Sequence, residues 1–272
     1  MECSTLEQAV ASDGTRLVYA LGAAPARAPR LAFLHTLGMD HTLWDAVSQR
    51  LAGDAALLRL DMRGHGRSDR TGGPQSAAVF AQDLCSVLDH AGWQDAVVVG
   101  SSLGGCVALQ FAAEHPHHTT ALGLVDTTAW YGPDGPRQWN ARARRARQDG
   151  LRAMIDFQET RWFSDAFREA RPDLVKRCVD IFLRNDVAAF AAISEMLGSF
   201  DARSLLHRIE APVEIIVGEE DYATPVAMAH EMQRALRAGK LTIVPAARHL
   251  TQVERPDAVA SMLRRLIGRL PR

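Results

Sequence analysis

A serine enclosed by glycines follows a run of valines in the first half of the chain. Val97, Val98 and Val99 favour a buried strand, and Gly100-Ser101-Ser102-Leu103-Gly104 follows them directly. The apolar spacing of the next residues predicts a helix. A serine on so sharp a turn between strand and helix has a strained backbone, and side chains in place of the flanking glycines would collide with it. This pattern predicts a nucleophilic Ser102 raised above the end of a strand.

Strands and helices alternate on both sides of this turn. Apolar runs predict six further strands, at residues 15–19, 31–35, 56–60, 121–125, 213–217 and 241–244. Helical periodicity predicts helices at 44–51, 77–91, 225–236 and 256–270. Such alternation favours an α/β fold with a mostly parallel sheet flanked by helices. Ligands of open α/β sheets bind beyond the carboxyl ends of the strands, so the polar residues that follow the strands are expected to converge there.

The pattern changes between residues 127 and 210. This segment has helical periodicity, with predicted helices at 142–154, 174–183 and 187–196, and no good strand. We therefore predict a core domain formed by residues 1–126 and 211–272, interrupted by an all-helical insertion at 127–210. We call this insertion the cap, and we expect it to lie as a lid over the carboxyl ends of the strands.

The composition is that of an ordinary globular protein. Of 272 residues, 47% are hydrophobic, and the formal net charge is −1, so nothing suggests nucleic-acid or membrane-surface binding. The four cysteines have no metal-ligand spacing, Cys85 and Cys106 are expected to be reduced core residues, and we expect neither a metal nor a cofactor. No signal peptide or membrane span is recognisable, so we expect a cytoplasmic protein. The expected partner is a small-molecule substrate, and the sequence leaves monomer and homodimer open.

A serine hydroxyl needs a base to attack a carbonyl at neutral pH. Among ten histidines, His249 is the best placed, because it follows the last predicted strand. His35 and His65 also lie near strand ends, but they precede the nucleophile in the chain. The order nucleophile, acid, base is characteristic of one large class of hydrolase folds, so we predict that His249 is the base.

The base needs a carboxylate to orient it. Asp221 follows the penultimate strand in Gly218-Glu219-Glu220-Asp221, and the order and spacing favour it. Two rivals stay open at this point. One is Glu220, its neighbour, and the other is Asp126, which follows the strand at 121–125.

Two backbone N–H groups are expected to stabilise the negative oxygen formed during the reaction. We predict that they belong to Leu103, after the nucleophile, and Leu37, in the loop after the strand at 31–35. The stretch Asp61-Met-Arg-Gly-His-Gly-Arg-Ser-Asp69 is dense in charge and glycine. We expect this loop to be mostly structural, with Arg63 holding it near the nucleophile.

The order of these motifs resembles the α/β-hydrolase superfamily over nearly the whole chain. It is most similar to the 3-oxoadipate enol-lactonases, through Asp221-Tyr-Ala-Thr-Pro225, His249-Leu-Thr-Gln-Val-Glu-Arg-Pro256 and the cap stretches Trp139-Asn140 and Thr160-Arg-Trp-Phe163. This resemblance implies a serine hydrolase that cleaves a small lactone or ester through an acyl-enzyme. Enol-lactonases often have Asn-Ser where this chain has His35-Thr36, so a different lactone or ester is open as the substrate.

An enol-lactone of this class carries a free carboxylate, and the cap is rich in arginine. We expect one or two of these arginines to bind that carboxylate, because the guanidinium group matches it in shape and charge. The expected substrate-binding residues are Thr36, Trp139, Arg142, Arg161 and Trp162. Alternatives on the same fold are a carboxylesterase, a C–C bond hydrolase of aromatic catabolism, a cofactor-free haloperoxidase-like enzyme and a non-catalytic ligand-binding protein.

Overall fold

A computed structural model of the chain describes residues 5–22, 25, 28–70, 73–236 and 239–270, and within them an eight-stranded sheet forms the core. The strands are β1 (Thr5–Val10), β2 (Arg16–Leu21), β3 (Arg30–Leu34), β4 (Ala56–Asp61), β5 (Ala96–Ser101), β6 (Thr119–Val125), β7 (Val213–Gly218) and β8 (Gly239–Val244). Their order across the sheet is β1-β2-β4-β3-β5-β6-β7-β8. The pairs β1–β2 and β2–β4 are antiparallel, and every other pair is parallel. The predicted mostly parallel sheet is confirmed.

Helices connect the strands. They are α1 (Asp45–Arg50), α2 (Ala77–His90), α3 (Leu103–Glu114), α4 (Gly135–Asp149), α5 (Ile155–Trp162), α6 (Asp165–Ala170), α7 (Pro172–Leu183), α8 (Val187–Ser199), α9 (Val226–Ala235), α10 (Thr251–Glu254) and α11 (Pro256–Ile267). Helix α2 packs against α3, and α1 packs against α11. Strand β5 is buried along its whole length, so the nucleophile turn begins from the middle of the sheet.

The first strand was not predicted. Strand β1 lies at the edge of the sheet, and Ala9 is its only buried side chain, while Leu6 and Val10 are exposed. An edge strand of this kind lacks the apolar alternation from which strands are recognised. The strands that were predicted, β2 to β8, are confirmed, with ends shifted by up to two residues.

Five helices, α4–α8, lie in the cap between β6 and β7. The predicted helix at 142–154 has the wrong boundaries, because α4 begins at Gly135 and ends at Asp149. Gly150 then adopts a left-handed φ of 74°, which ends the helix, and a short 3-10 turn follows. Helices α5 and α6 were not predicted.

The cysteines that the structure describes lie in the core. Cys85 and Cys106 are buried and unpaired, as expected, whereas Cys3 lies outside the described residues. Among the helices in the described ranges, none is both long enough and apolar enough to cross a membrane.

Candidate active site

The turn between β5 and α3 holds Ser102 in a strained backbone conformation, with φ at 52° and ψ at −114°. The flanking glycines are required by packing. A Cβ on Gly100 would lie 2.1 Å from the carbonyl oxygen of Gly104, and a Cβ on Gly104 would lie 2.3 Å from that of Leu34. The Gly104 N–H donates to His35 O (3.1 Å), which joins this turn to the loop after β3. The strain and the glycines have the geometry expected of a nucleophile turn.

Ser102, His249 and Asp221 come together at the carboxyl ends of β5, β8 and β7. The Ser102 Oγ lies 2.9 Å from His249 Nε2, and His249 Nδ1 lies 2.9 Å from Asp221 Oδ2. Each of the three residues is only 3% exposed. A hydroxyl, an imidazole and a carboxylate in this arrangement can move a proton from the serine to the histidine while the carboxylate stabilises the imidazolium.

Local hydrogen bonds fix the carboxylate of Asp221. Its Oδ1 accepts from the N–H groups of Ala223 (2.7 Å) and Thr224 (3.0 Å), and its Oδ2 accepts from Thr224 Oγ1 (2.8 Å). Burial alone would raise the pKa of Asp221, but the adjacent His249 and these hydrogen bonds lower it below its usual value. Asp221 is therefore held ionised and faces the imidazole.

The two rival acids lie elsewhere. Glu220 is exposed. Asp126 is fully buried, where its Oδ1 accepts from Gly218 N–H (3.0 Å) and its Oδ2 from Thr251 N–H (2.9 Å). Burial and the negative charge of Asp221 raise the pKa of Asp126 well above its usual value. Asp126 thus joins the end of β7 to the loop that carries His249. Of the three candidate acids, Asp221 is the one that contacts the imidazole.

The predicted oxyanion-binding groups have free N–H donors. Within the described ranges of the chain, neither the Leu37 N–H nor the Leu103 N–H has a hydrogen-bond acceptor. Leu103 is the first residue of α3, where backbone N–H groups point out of the helix and carry positive partial charge. The cap holds the other loop, because Asn185 Nδ2 donates to Gly38 O at 2.8 Å.

His35 and Thr36 have roles inside the core. His35 Nε2 accepts from Met62 N–H (3.0 Å), so its Nδ1 carries the proton and donates to Thr36 O (2.9 Å). Burial lowers the pKa of His35, which keeps the imidazole neutral. The Thr36 Oγ1 lies 2.9 Å from Ser101 Oγ. The pair that differs from the enol-lactonase pattern therefore forms buried contacts.

The loop at 61–69 is structural, as expected, but Arg63 does not hold it to the nucleophile turn. The Arg63 guanidinium donates twice to Asp83 in α2, at 2.5 Å each, and once to Asp13 at 3.0 Å. Arg63 therefore joins the loop after β4 to α2 and to the turn between β1 and β2. This part of the sequence prediction was wrong.

A cavity of about 690 Å³ lies between the cap and the loop that carries Asp221. The cap contributes Trp139, Arg142, Phe157 and Arg161 among others, and the core contributes Tyr222, Ala223, Pro225 and Met228. Two of the residues predicted to bind substrate are absent from this lining. Thr36 is buried against Ser101, and Trp162 packs in the cap interior against Phe182 at a ring distance of 5.4 Å.

Arg142 and Arg161 both line the cavity and share an aromatic environment. Their guanidinium groups lie 4.9 and 5.9 Å from the Trp139 ring and 5.4 and 5.7 Å from the Phe157 ring. Neither has a carboxylate partner among the residues that the structure describes. Arg142 Nη2 donates to Gln158 Oε1 (2.6 Å), and its buried Nε has no acceptor there.

Burial is unfavourable for these two cations. It lowers the pKa of Arg142 well below its usual value, and the charge of Arg161 lowers it further. Burial also lowers the pKa of Arg161, while the negative charge of Asp221 opposes that shift. Because a guanidinium group stays protonated in proteins, the site keeps two positive charges that an anion would neutralise.

Sequence reasoning missed two residues that support the site. Thr224 binds Asp221, and the three-residue spacing between them is a local turn signal that could have identified it. Gln252 Nε2 donates to Ser101 Oγ (3.0 Å), and only the folded structure brings these two residues together.

Comparison with known proteins defines the class. A family model described as the alpha/beta hydrolase fold matches residues 29–256, well over half of the chain. The chain belongs to this family.

Several individual proteins are similar to this chain over most of its length. The chain is 29% identical over 230 residues to 3-oxoadipate enol-lactonase 2 of Acinetobacter baylyi, with 85% of each chain covered. The crystal structure of the enol-lactonase from Burkholderia xenovorans LB400 superposes with a TM-score of 0.91 at 27% identity, covering 96% of this chain and 100% of that one. A putative 2-succinyl-6-hydroxy-2,4-cyclohexadiene-1-carboxylate synthase of Bacillus subtilis is 28% identical over 257 residues, 90% of this chain and 92% of the relative. Relatives with different activities thus share similar identity with this chain.

Proposed function

We propose that this protein is a serine hydrolase that cleaves a small anionic lactone or ester, of the 3-oxoadipate enol-lactone type. Ser102 attacks the carbonyl carbon, and His249 takes the hydroxyl proton and returns it to the leaving oxygen. Asp221 orients the imidazole and stabilises its charged form. Water then hydrolyses the acyl-enzyme with the same base, and the N–H groups of Leu37 and Leu103 bind the negative oxygen in both steps.

One observation carries the proposal. A serine, histidine and aspartate are joined by contacts of 2.9 Å, and Tyr222 and Ala223, which follow the aspartate, line a cavity. That cavity contains two guanidinium groups without a carboxylate partner in the described chain, and the charge of Asp221 acts on one of them, Arg161. The hydroxyl and imidazole supply acyl transfer. The guanidinium groups of Arg142 and Arg161 supply recognition of a carboxylate elsewhere on the substrate. The two parts together favour an anionic substrate over the neutral ester of a general carboxylesterase.

The electrostatics of the cavity support a carboxylate ligand in particular. Each guanidinium offers a planar pair of donors that matches a carboxylate, and both side chains are partly withdrawn from solvent, which strengthens the attraction. Trp139 and Phe157 contact both arginines, so they hold the two cations together despite their repulsion. The similarity to enol-lactonases, whose substrate carries a carboxylate, agrees with this role.

The proposal is tested with a matched pair of esters. The mono-p-nitrophenyl ester of glutaric acid carries a distal carboxylate, and p-nitrophenyl valerate has a methyl group in its place. We expect the wild type to have a higher kcat/KM for the anionic ester and for 3-oxoadipate enol-lactone. Ser102→Ala is expected to lower kcat for every substrate by at least about 10⁴-fold. More than a tenth of wild-type activity in Ser102→Ala would show that the nucleophile is wrong.

The cavity arginines are tested in the same assay. Losing a charged hydrogen bond costs about 1.5–3 kcal/mol, so Arg142→Ala is expected to lower the ratio of anionic to neutral kcat/KM by about tenfold to a hundredfold. Arg144→Ala, which removes an exposed arginine of the same helix, is the matched control and should leave the ratio unchanged. An unchanged ratio in Arg142→Ala would contradict carboxylate binding and would favour a general carboxylesterase.

A further inference from the structure

The side chain of Arg248, directly before His249, extends away from the reacting groups and into the cap. Its Nη1 donates to Thr160 O (2.9 Å) and Phe163 O (3.0 Å), at the end of α5. The same nitrogen lies 3.0 Å from Asp165 Oδ1 in α6. The Arg248 side chain is only 17% exposed, whereas that of Asp165 is 68% exposed, so the bonds to the two carbonyl groups are the better shielded contacts.

Arg248 also contacts the loop that carries Asp221. Its Nε lies 3.6 Å from Glu220 Oε2, and its guanidinium lies 6.0 Å from the ring of Tyr222. Glu220 and Tyr222 are the two sequence neighbours of Asp221. One side chain therefore joins the end of α5 to the loops that hold both His249 and Asp221.

The residues after His249 add hydrogen bonds between the end of α5 and the loop that carries His249. We call the contacts of Arg248, Leu250 and Glu254 with residues 160–165 the junction. The Leu250 N–H donates to Trp162 O at 3.0 Å. Glu254 accepts from Arg248 N–H (2.8 Å) and from Ser164 Oγ (2.6 Å). Three carbonyl groups in the four residues 160–163 are thus bound by Arg248 and Leu250, the residues on either side of His249.

Arg161 lies within the segment that the junction binds. Residues 160 and 163 both accept from Arg248, and Arg161 lies between them with its side chain lining the cavity. The last carbonyl groups of a helix have no partner within the helix, so its final turn moves easily unless other groups bind it. Hydrogen bonds from Arg248 and Leu250 fix that turn. They therefore also fix the backbone position from which the Arg161 side chain extends.

We propose that Arg248 is a positioning residue that sets Arg161 relative to His249, and thereby determines how strongly the enzyme prefers an anionic substrate. This inference rests on the proposed function of the cavity. Arg248 does not touch the reacting atoms. It fixes the distance between the carboxylate-binding group and the base, so that a substrate bound by its carboxylate presents its carbonyl to Ser102.

The test combines kinetics with a double-mutant cycle. The ester pair above is assayed with the wild type, Arg248→Ala, Arg161→Ala and the double variant, and with Arg152→Ala as an exposed control in the cap. Arg248→Ala is expected to lower the ratio of anionic to neutral kcat/KM about tenfold, mainly through KM for the anionic ester. Arg248→Lys is expected to recover part of that ratio, because one ammonium group can still donate to Thr160 O or Phe163 O. In the double variant the ratio should fall no further than in Arg161→Ala.

Other results would overturn the inference. Equal losses for both esters through kcat would mean that Arg248 only maintains the fold, and a double variant showing the product of the two single effects would mean that it acts independently of Arg161. A wild type without preference for the anionic ester would refute the proposed substrate class and this specificity role with it. Hydrogen exchange separates the two failures, since Arg248→Ala should still accelerate exchange at residues 160–167 if the junction holds this turn, and unchanged exchange would refute the positioning role itself.

Discussion

Three buried polar side chains connect the segments that carry the proposed oxyanion site, nucleophile and base. Thr36 Oγ1 lies 2.9 Å from Ser101 Oγ, and Gln252 Nε2 donates to the same Ser101 oxygen at 3.0 Å. All three residues are at most 2% exposed. Because a buried polar group without a partner is costly, the serine hydroxyl stabilises two loops at once.

Replacing this hydroxyl is predicted to destabilise the protein. Ser101→Ala leaves the Gln252 amide and the Thr36 hydroxyl without their shared partner. Each unsatisfied buried group costs about 1–3 kcal/mol, so we expect the free energy of unfolding to fall by about 2 kcal/mol or more. Urea unfolding followed by tryptophan fluorescence measures this change.

The matched control is Ser86→Ala, which removes a serine hydroxyl that donates within helix α2 to Gln82 O. Alanine is the better helix former, so this variant should be at least as stable as the wild type. If Ser101→Ala unfolded at the same urea concentration as Ser86→Ala, the three-residue connection would contribute nothing to stability.

At the scale of elements, one buried ion pair joins the loop after β4 to helix α2. The side chains of Arg63 and Asp83 are 5% and 3% exposed, and two hydrogen bonds connect them. Asp13, which is half exposed, gives Arg63 a second and weaker partner. This pair holds α2 against the loop after β4, the strand that pairs with β3.

Breaking this ion pair is predicted to destabilise the folded protein strongly. Asp83→Ala leaves the Arg63 cation buried with only Asp13 beside it, and removing one partner of a buried pair typically costs about 3–5 kcal/mol. Thermal and urea unfolding of the variant should show this loss. Asp257→Ala, which breaks an exposed pair with Arg50, is the comparison and should scarcely change the midpoint. Similar midpoints for the two variants would contradict the importance of the buried pair.

The elements that could be predicted from the sequence are those whose pattern reports their own burial. Strands β3 to β7 are apolar runs in the middle of the sheet, and their predicted ranges agree with the structure to within two residues. Strand β1 is exposed on most of its length, and α5 and α6 are short helices separated by Phe163 and the N-cap residue Ser164. Local periodicity is too weak in such segments to predict them.

The same limit applies to the candidate site. Motif order identified Ser102, Asp221 and His249, which the structure brings together, because each follows a strand and the carboxyl ends of parallel strands meet. The partners of Arg63 and Arg248 depend on how α2 and the cap pack against the core. Such contacts join residues far apart in the chain, and no spacing within the sequence records them.

At the scale of the whole molecule, two buried histidines make stability depend on pH. His35 and His65 are at most 2% exposed, and their rings are 4.8 Å apart. Burial and the neighbouring His35 together lower the pKa of His65 to about 3, and burial lowers the pKa of His35. The His65 imidazole is therefore neutral in the folded protein throughout the neutral and mildly acidic range, and the lowered pKa of His35 favours its neutral form as well.

The unfolded chain binds these protons more readily, since an exposed histidine has a pKa near 6.5. As the pH falls below about 6.5, protonation stabilises the unfolded state, while folded His65 stays neutral until about pH 3. We predict that the wild type loses about 1.5 kcal/mol more free energy of unfolding than His65→Gln between pH 6.5 and pH 5. Urea unfolding at the two pH values gives both differences.

The comparison with His65→Gln isolates one group from the rest of the protein. Asp126 has a raised pKa and acts in the opposite sense, because the folded state holds its proton at a pH where the unfolded state has released it. That contribution is present in both proteins and cancels in the difference, as do the exposed histidines. Glutamine also lowers the stability at each pH by a packing term, which is independent of pH and cancels in the same way. Equal losses of the free energy of unfolding in the two proteins between pH 6.5 and pH 5 would contradict the prediction. They would mean that folded His65 takes up a proton as readily as the unfolded chain, so that its burial does not keep it neutral.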